Sequence, residues 1–355
     1  ANIYTYLLYI CNIYSTLHLE HNIMKIIIEK NIPFIKGMLD NVAEVSYLAP
    51  DEINAAAMRD ADALVTRTRT RCDASLLDGS KCRFIATATI GTDHIDLDYC
   101  RSHGITVKNA PGCNAPAVAQ YVFAVIAKLR GLDTGFTLGV VGAGHVGSII
   151  VDWAKGMGIK TLVCDPPRAD AEGKEGFTDI EEIARKCDVI TFHTPMTCDG
   201  KYPTFHLLDR NLVDKMERKP LIINSARGPV TDTQALLYGL HSGKIGCAAI
   251  DCWENEPGIS PELLDLAAVA TPHIAGYSRE GKIRATRMSL DSLTSHFGLP
   301  KVEMAEKVPE GAATGVTLAS VASSYNPLDD TEALKSSPES FEKLRNTYNY
   351  RDEAR

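Results

Sequence analysis

Three side chains of complementary chemistry follow short apolar runs in the second half of the chain. Arg227 stands in Asn224-Ser225-Ala226-Arg227-Gly228, Glu256 in Trp253-Glu254-Asn255-Glu256-Pro257, and His273 in Thr271-Pro272-His273-Ile274. A guanidinium can grip a carboxylate with two parallel hydrogen bonds and polarise the neighbouring C–O bond. An imidazole can take a hydroxyl proton near neutral pH, and a carboxylate on its other ring nitrogen fixes the tautomer and stabilises the imidazolium. Together the three suit oxidation of a hydroxy acid, with the proton going to the ring and a hydride to a nicotinamide. Each also has a plainer reading. His94, His193 and His206 are as well placed by local pattern, Arg227 could be a surface ion pair, and Glu256 could be a helix cap.

The first half of the chain offers anion-binding material. Arg67-Thr68-Arg69-Thr70-Arg71 puts three cations just past an expected strand end, where ligands sit in open α/β sheets, or else is a solvated basic loop. Thr87-Ala88-Thr89-Ile90-Gly91-Thr92-Asp93-His94 follows another strand; its hydroxyls and Gly91 could wrap an anionic substrate or merely turn the chain.

The element that must position a cofactor is the glycine stretch around Gly142, Gly144 and Gly147, a G-x-G-x-x-G spacing between an apolar strand and a helix beginning near His145 and Val146. The first glycine makes the turn, the second admits a pyrophosphate to the backbone, and the third lets helix pack on strand. The helix N-terminus offers open N–H groups and a positive dipole end to phosphates. A second strand over 160–164 ends at Asp165, where an acid would hold a ribose 2′-OH and repel a 2′-phosphate. This favours NAD over NADP, with Arg168 nearby as the one feature that pulls the other way.

Strands are expected over 25–28, 63–66, 84–87 and 105–108, then at the glycine stretch and over 160–164, 189–193, 221–224, 247–250 and 269–270. Helices lie between them, one capped by Asp51 and one by a Thr178-Asp179-Ile180-Glu181 capping box. Such alternation predicts parallel sheets covered by helices. An apolar helix over 117–129 connects the halves, and an amphipathic helix over 281–296 returns to the first. Residues 300–315 read as a linker, followed by a short strand over 316–321 and helices over 331–335 and 338–348. The expected domains are 24–116 with 272–298 for substrate, 117–271 for the dinucleotide, and a 299–355 tail too small to hold its own core. Residues 1–23, before Met24, read as an extension outside the functional fold or as an added arm that packs on the body or a neighbour.

A net charge of −8 and a pI near 5.7 argue against nonspecific nucleic-acid binding. The apolar run over 4–10 is too short to span a bilayer, so no membrane role is expected. Ten cysteines without C-x-x-C spacing read as reduced cytosolic thiols, with no metal site.

The chain resembles the D-isomer-specific 2-hydroxyacid dehydrogenases over nearly all of residues 24–296. The resemblance is carried by Ala88-Thr89-Ile90-Gly91-Thr92-Asp93-His94, Ala110-Pro111-Gly112-Cys113-Asn114-Ala115, Cys164-Asp165-Pro166-Pro167-Arg168, Phe192-His193-Thr194-Pro195 and Thr271-Pro272-His273-Ile274-Ala275-Gly276-Tyr277. It implies a Rossmann NAD domain and a flavodoxin-like substrate domain, both doubly wound parallel sheets, plus a small C-terminal module. It implies catalytic roles for Arg227, Glu256 and His273, the last as proton donor and acceptor. It also implies NAD contacts from Asp165, Thr194, Ser225, Ala226, Asp251 and Gly276, and substrate contacts from Thr68, Thr89 and Tyr277. Thr68 stands where a serine is common. The implied substrate is a small phosphorylated 2-hydroxy acid, and placement alone nominates Arg67 and Arg69 for its phosphate. The tail around Ser324-Tyr325-Asn326-Pro327 and Phe341-Glu342-Lys343-Leu344 looks like an abbreviated form of the family's dimerisation module, implying a homodimer. The connection over 131–136 is short for the family, and residues 1–23 have no counterpart in it. Two other readings stand beside this one: a dehydrogenase for another 2-hydroxy acid such as 3-phosphoglycerate, and a nucleotide-sensing binding protein on the same fold.

Overall fold

Aliphatic and β-branched runs make the strands. In β1 (Lys25–Glu29) all but the first residue are buried, and β3 (Ala63–Thr66) and β4 (Phe84–Thr87) are buried throughout, as strands covered on both faces must be. The computed structural model describes residues 24–355, so the expectation for 1–23 lies outside the described residues. With β2 (Glu44–Leu48) and β5 (Thr106–Lys108), these strands form one all-parallel sheet in the order β2-β1-β3-β4-β5. That is the flavodoxin-like order, with its switch point between β1 and β3. Edge strand β2 was not anticipated; it is only half-buried, without the unbroken apolar run that marks its neighbours.

The expected helix cap at Asp51 moves to Asn54, whose side chain accepts from the Ala56 and Ala57 N–H groups ahead of the helix Ala55–Met58. This unit runs to Pro111 and is rejoined by Ile283–Lys307. Its core gathers Ile27, Leu64, Ile85 and Ile105, and Phe84 packs on the His296 and Phe297 rings.

The second unit, Gly112–Lys282 with Val308–Arg355, holds a six-stranded parallel sheet in the order β11-β10-β9-β8-β6-β7. Its strands are β6 (Thr137–Val141), β7 (Lys160–Cys164), β8 (Val189–Phe192), β9 (Leu221–Asn224), β10 (Cys247–Ile250) and β11 (Val269–Ala270). The order reverses between β6 and β8, so the crevice beyond those strand ends is the place for a ligand. Among the described residues no strand lies beyond β7; the chain there passes through the helices Pro166–Glu172 and Ile180–Lys186. The second helix is capped by Asp179, which accepts from Glu182 N, and Thr178 donates to the Glu182 carboxylate; the capping pair lies one residue later than Thr178-Glu181.

The helix Ala115–Arg130 is buried from Ala115 to Ala127. The tail seals this unit's core. Leu334 and Phe341 join one apolar cluster, and Val316, Leu318, Val321 and Ala354 join another. Where a strand was expected over 316–321 the chain forms the helix Leu318–Ser324, because Thr317 and Ser320 cap it reciprocally. Among the described residues no helix is long and apolar enough to cross a membrane.

Candidate active site

All three catalytic candidates stand in the second unit, each just past a sheet strand. Asn224 ends β9 and is fully buried. Its amide donates to the Arg227 and Cys252 carbonyls and to Thr231 Oγ1, and its side-chain oxygen accepts from Ala226 N. One amide thus fixes the turn that presents Arg227, whose own Nη1 donates to Ala226 O at 2.8 Å. Gly228 follows because a Cβ there would lie 1.9 Å from Trp253 O.

Asp251 directly follows β10 and is almost wholly buried. Expected as a cofactor contact, it turns both oxygens on the loop after β11. Oδ1 accepts from Thr271 Oγ1 (2.7 Å) and Ile274 N (2.7 Å), and Oδ2 from Ala275 N (3.0 Å). Burial raises its carboxyl, and the nearby His273 together with these hydrogen bonds opposes the rise. The loop so held carries His273 at φ 57°, a left-handed conformation that costs a residue with a side chain.

His273 Nδ1 lies 2.9 Å from Glu256 Oε2 and 3.1 Å from Oε1, while Trp253 N donates to Oε1 at 2.8 Å. The carboxylate claims Nδ1–H and leaves Nε2 as the nitrogen for proton transfer. Burial pushes the Glu256 carboxyl up. The His273 hydrogen bond and charge, the Trp253 N–H and the Arg345 charge outweigh it and hold the group below its ordinary value. Cys252 Sγ lies 3.4 Å from Ala226 O and within 4.8 Å of the Glu256 and His273 donor atoms, tying the three segments together.

The rival histidines resolve differently. His193 and His94 pair with threonine hydroxyls, and burial drops them to about 3 and about 4. His206 pairs with Glu254 at 2.7 Å, but that carboxylate is also spent on Thr233 N.

The glycine turn has the form a dinucleotide requires. Gly142 takes φ 88°, and a Cβ on it would meet His193 C at 2.8 Å. A Cβ on Gly147 would lie 2.0 Å from Gly142 O. Gly144 caps the helix His145–Gly156 with no side-chain hydrogen bond, so that helix start is left for a ligand. Val146 is half-buried on its first turn. Asp165 accepts from Ala143 N and Arg168 N. Arg168 is engaged by the Glu172 carboxylate and Ala143 O, so its guanidinium is held by protein groups rather than left for a 2′-phosphate. Thr194 Oγ1 and Ser225 Oγ are buried with no hydrogen-bond partner in the protein. Such orphans ask for a bound partner, and they are two of the residues expected on NAD. The donor set therefore fits the dinucleotide. Gly276, also expected on NAD, has no room for a Cβ, which would lie 2.0 Å from Asn114 Nδ2.

Tyr277, expected on the substrate, accepts from Arg345 Nε at 3.3 Å. The other expected substrate residues belong to the first unit. The buried Glu29 Oε2 accepts from Thr66 Oγ1, Arg67 N and Thr70 Oγ1, forming the loop on which Thr68 and Arg69 are exposed. Arg67 Nη1 donates to Asn31 O, and Thr89 Oγ1 shares a hydrogen with Thr87 and reaches Gly91 O.

Sequence reasoning missed Glu29, Asn224 and two tail arginines. Arg351 is half-buried, and its guanidinium donates to the carbonyls of Ile274 (3.0 Å), Ala275, Tyr277 (3.3 Å) and Ala117 (3.1 Å) and to Gln120 Oε1 (3.1 Å), clamping the loop that carries His273. The polar ends of buried strands were the available signal for Glu29 and Asn224; nothing local marks the arginines.

Residues 128–275 match the family described as D-isomer specific 2-hydroxyacid dehydrogenase, NAD binding domain. The chain is 45% identical to the erythronate-4-phosphate dehydrogenase of Bacteroides thetaiotaomicron over 340 residues, covering 93% of this chain and 97% of that one. It is 40% identical to the Porphyromonas gingivalis enzyme of the same name, covering 92% of each. Among solved structures it resembles the NAD+-bound 3-phosphoglycerate dehydrogenase of Entamoeba histolytica, with a TM-score of 0.65 and 26% identity over 81% of this chain and 99% of that one.

Proposed function

This chain belongs to the erythronate-4-phosphate dehydrogenases, within the D-isomer-specific 2-hydroxyacid dehydrogenases, and on that premise we propose how its residues oxidise the 2-hydroxyl of 4-phospho-D-erythronate to give 2-oxo-3-hydroxy-4-phosphobutanoate, a step toward pyridoxal 5′-phosphate. The protein is an NAD-dependent oxidoreductase. Bound NAD supplies the hydride acceptor; Gly142, Gly144, His145, Val146, Gly147, Asp165, Thr194, Ser225, Ala226 and Gly276 would hold it.

Arg227 grips the substrate carboxylate and draws electron density from the adjoining carbon–oxygen bond. His273 Nε2 takes the hydroxyl proton, and Glu256 holds the ring in that tautomer and stabilises its positive form. The observation that carries this reading is the 2.9 Å contact of Glu256 with His273 Nδ1 on a loop whose backbone is tied to Asp251. Thr68, Thr89 and Tyr277 are the proposed substrate contacts, with Arg67 and Arg69 for the phosphate. A homodimer through the tail, and a reducing compartment in keeping with the nine free cysteines among the described residues, complete the reading.

The test is steady-state turnover of purified protein with 4-phosphoerythronate and NAD, with and without 2-oxoglutarate, against 3-phosphoglycerate. Faster turnover of 4-phosphoerythronate is the expected result, and turnover only with the 2-oxo acid adds that the nicotinamide stays bound between cycles. Preference for 3-phosphoglycerate would overturn the substrate assignment.

A further inference from the structure

We propose that Arg345, from the C-terminal tail, is a positioning residue for the Glu256–His273 pair, bracing the carboxylate and the Tyr277 hydroxyl so that the tail completes the proton-transfer site. The inference rests on the reading of His273 as the base.

Arg345 lies in the helix Phe341–Asn346, far in sequence from every catalytic candidate. Its side chain is 19% exposed. Nη1 stands 3.7 Å from Glu256 Oε2, the same oxygen that lies 2.9 Å from His273 Nδ1, and Nε donates to Tyr277 Oη at 3.3 Å. One guanidinium thus spans the partner of the base and a proposed substrate contact. Its remaining anionic neighbour, Glu342 Oε1, is 3.8 Å away on its own helix and more exposed. The tail does not need this cation in order to dock, since Phe341 and Leu334 are already sealed in the apolar core. Taking a guanidinium out of water is costly unless it finds an anion, and the less exposed of the two anions it finds is the Glu256 carboxylate.

Two consequences follow. The planar fork fixes the carboxylate, and through it the ring, in a way that a flexible ammonium would not. A permanent cation beside the pair also opposes addition of a further proton, keeping the pair in its basic form to lower pH. The other groups facing the pair are Asp251 and Cys252 after β10, Arg227 after β9, Tyr277 on the loop itself and Glu342 on the tail. Asp251 and Glu342 act against the cation. Arg227 acts on the neighbouring Cys252, and that buried thiol, raised well above its usual range, stays neutral.

The experiment is the pH dependence of kcat and kcat/KM for 4-phosphoerythronate oxidation in wild type, Arg345→Gln and Arg345→Lys, with NAD affinity measured alongside. For Arg345→Gln the expected result is an acid limb moved upward by about one pH unit and kcat lowered about tenfold near neutrality, with NAD affinity within about twofold. Arg345→Lys should keep the limb within about 0.3 pH unit while losing kcat severalfold, because charge is restored and the fork is not. An unmoved limb in Arg345→Gln, or a kcat in Arg345→Lys equal to wild type, would overturn the proposal. If Arg345→Gln does not fold, the Lys variant alone decides through kcat. Absence of wild-type turnover would instead overturn the functional reading beneath it.

Discussion

The loops after β3 and β11 are built on the same device and differ in what is laid over it. In the first unit the buried Glu29 collects Thr66 Oγ1, Arg67 N and Thr70 Oγ1. In the second the buried Asp251 collects Thr271 Oγ1, Ile274 N and Ala275 N. Each is a strand-end carboxylate that satisfies loop donors from a neighbouring strand. The β3 loop stops there, and Thr68 and Arg69 are exposed. The β11 loop gains a second layer from the tail, with Arg351 on its carbonyls and Arg345 on Tyr277 and Glu256. The difference matches the tasks assigned to the two loops. Proton transfer needs a ring held within hydrogen-bond reach in one tautomer, and His273 at positive φ needs its surroundings to over-determine it. Gripping a charged group at the far end of a substrate asks only for cations of sufficient reach.

The sharpest way to break the comparison is to remove the anchors. Asp251→Ala strands three buried donors and should cost about 3–5 kcal/mol of unfolding free energy; a urea midpoint within error of wild type would show that the tail alone holds the loop. Glu29→Gln keeps an acceptor of the same size, and its expected cost is about 1–2 kcal/mol with a raised KM. A larger loss than for Asp251→Ala would reverse the ranking. Arg67→Ala should raise KM about tenfold for the phosphorylated acid and leave the unphosphorylated acid unaffected; equal weakening of both would remove this loop from the phosphate assignment.

The smallest effect concerns pH. Because the Glu256 carboxyl is held below its ordinary 4.5, its ionised form stabilises the native state above that pH, and the contribution is lost as pH falls through the folded value. The stability deficit of Glu256→Gln relative to wild type, read from urea unfolding, should therefore shrink on going from pH 7 toward pH 3. A deficit that grew with acidification would contradict the assignment.

Much of the scaffold was legible because buried parallel strands are unbroken aliphatic runs, and the residues placed after them were found with them. The half-polar edge strand β2 escaped for the opposite reason. The helix Leu318–Ser324 reads as a strand in sequence because Val316, Thr317 and Val321 are β-branched, while the Thr317–Ser320 cap lacks the usual acidic partner. At the site, Arg227, Glu256 and His273 could be named from residue type and position. Arg345 and Arg351 could not, because their partners Tyr277 and Ile274 lie 68 and 77 residues away in sequence and only packing of the tail brings them together.

The central claim, that the Glu256–His273 pair removes the hydroxyl proton, is tested most directly by single-turnover formation of reduced nicotinamide when NAD-loaded protein meets 4-phosphoerythronate. Wild type should give the full burst, and His273→Asn should slow it by about 10²–10⁴-fold with NAD affinity unchanged. Equal rates in the two proteins would contradict the account.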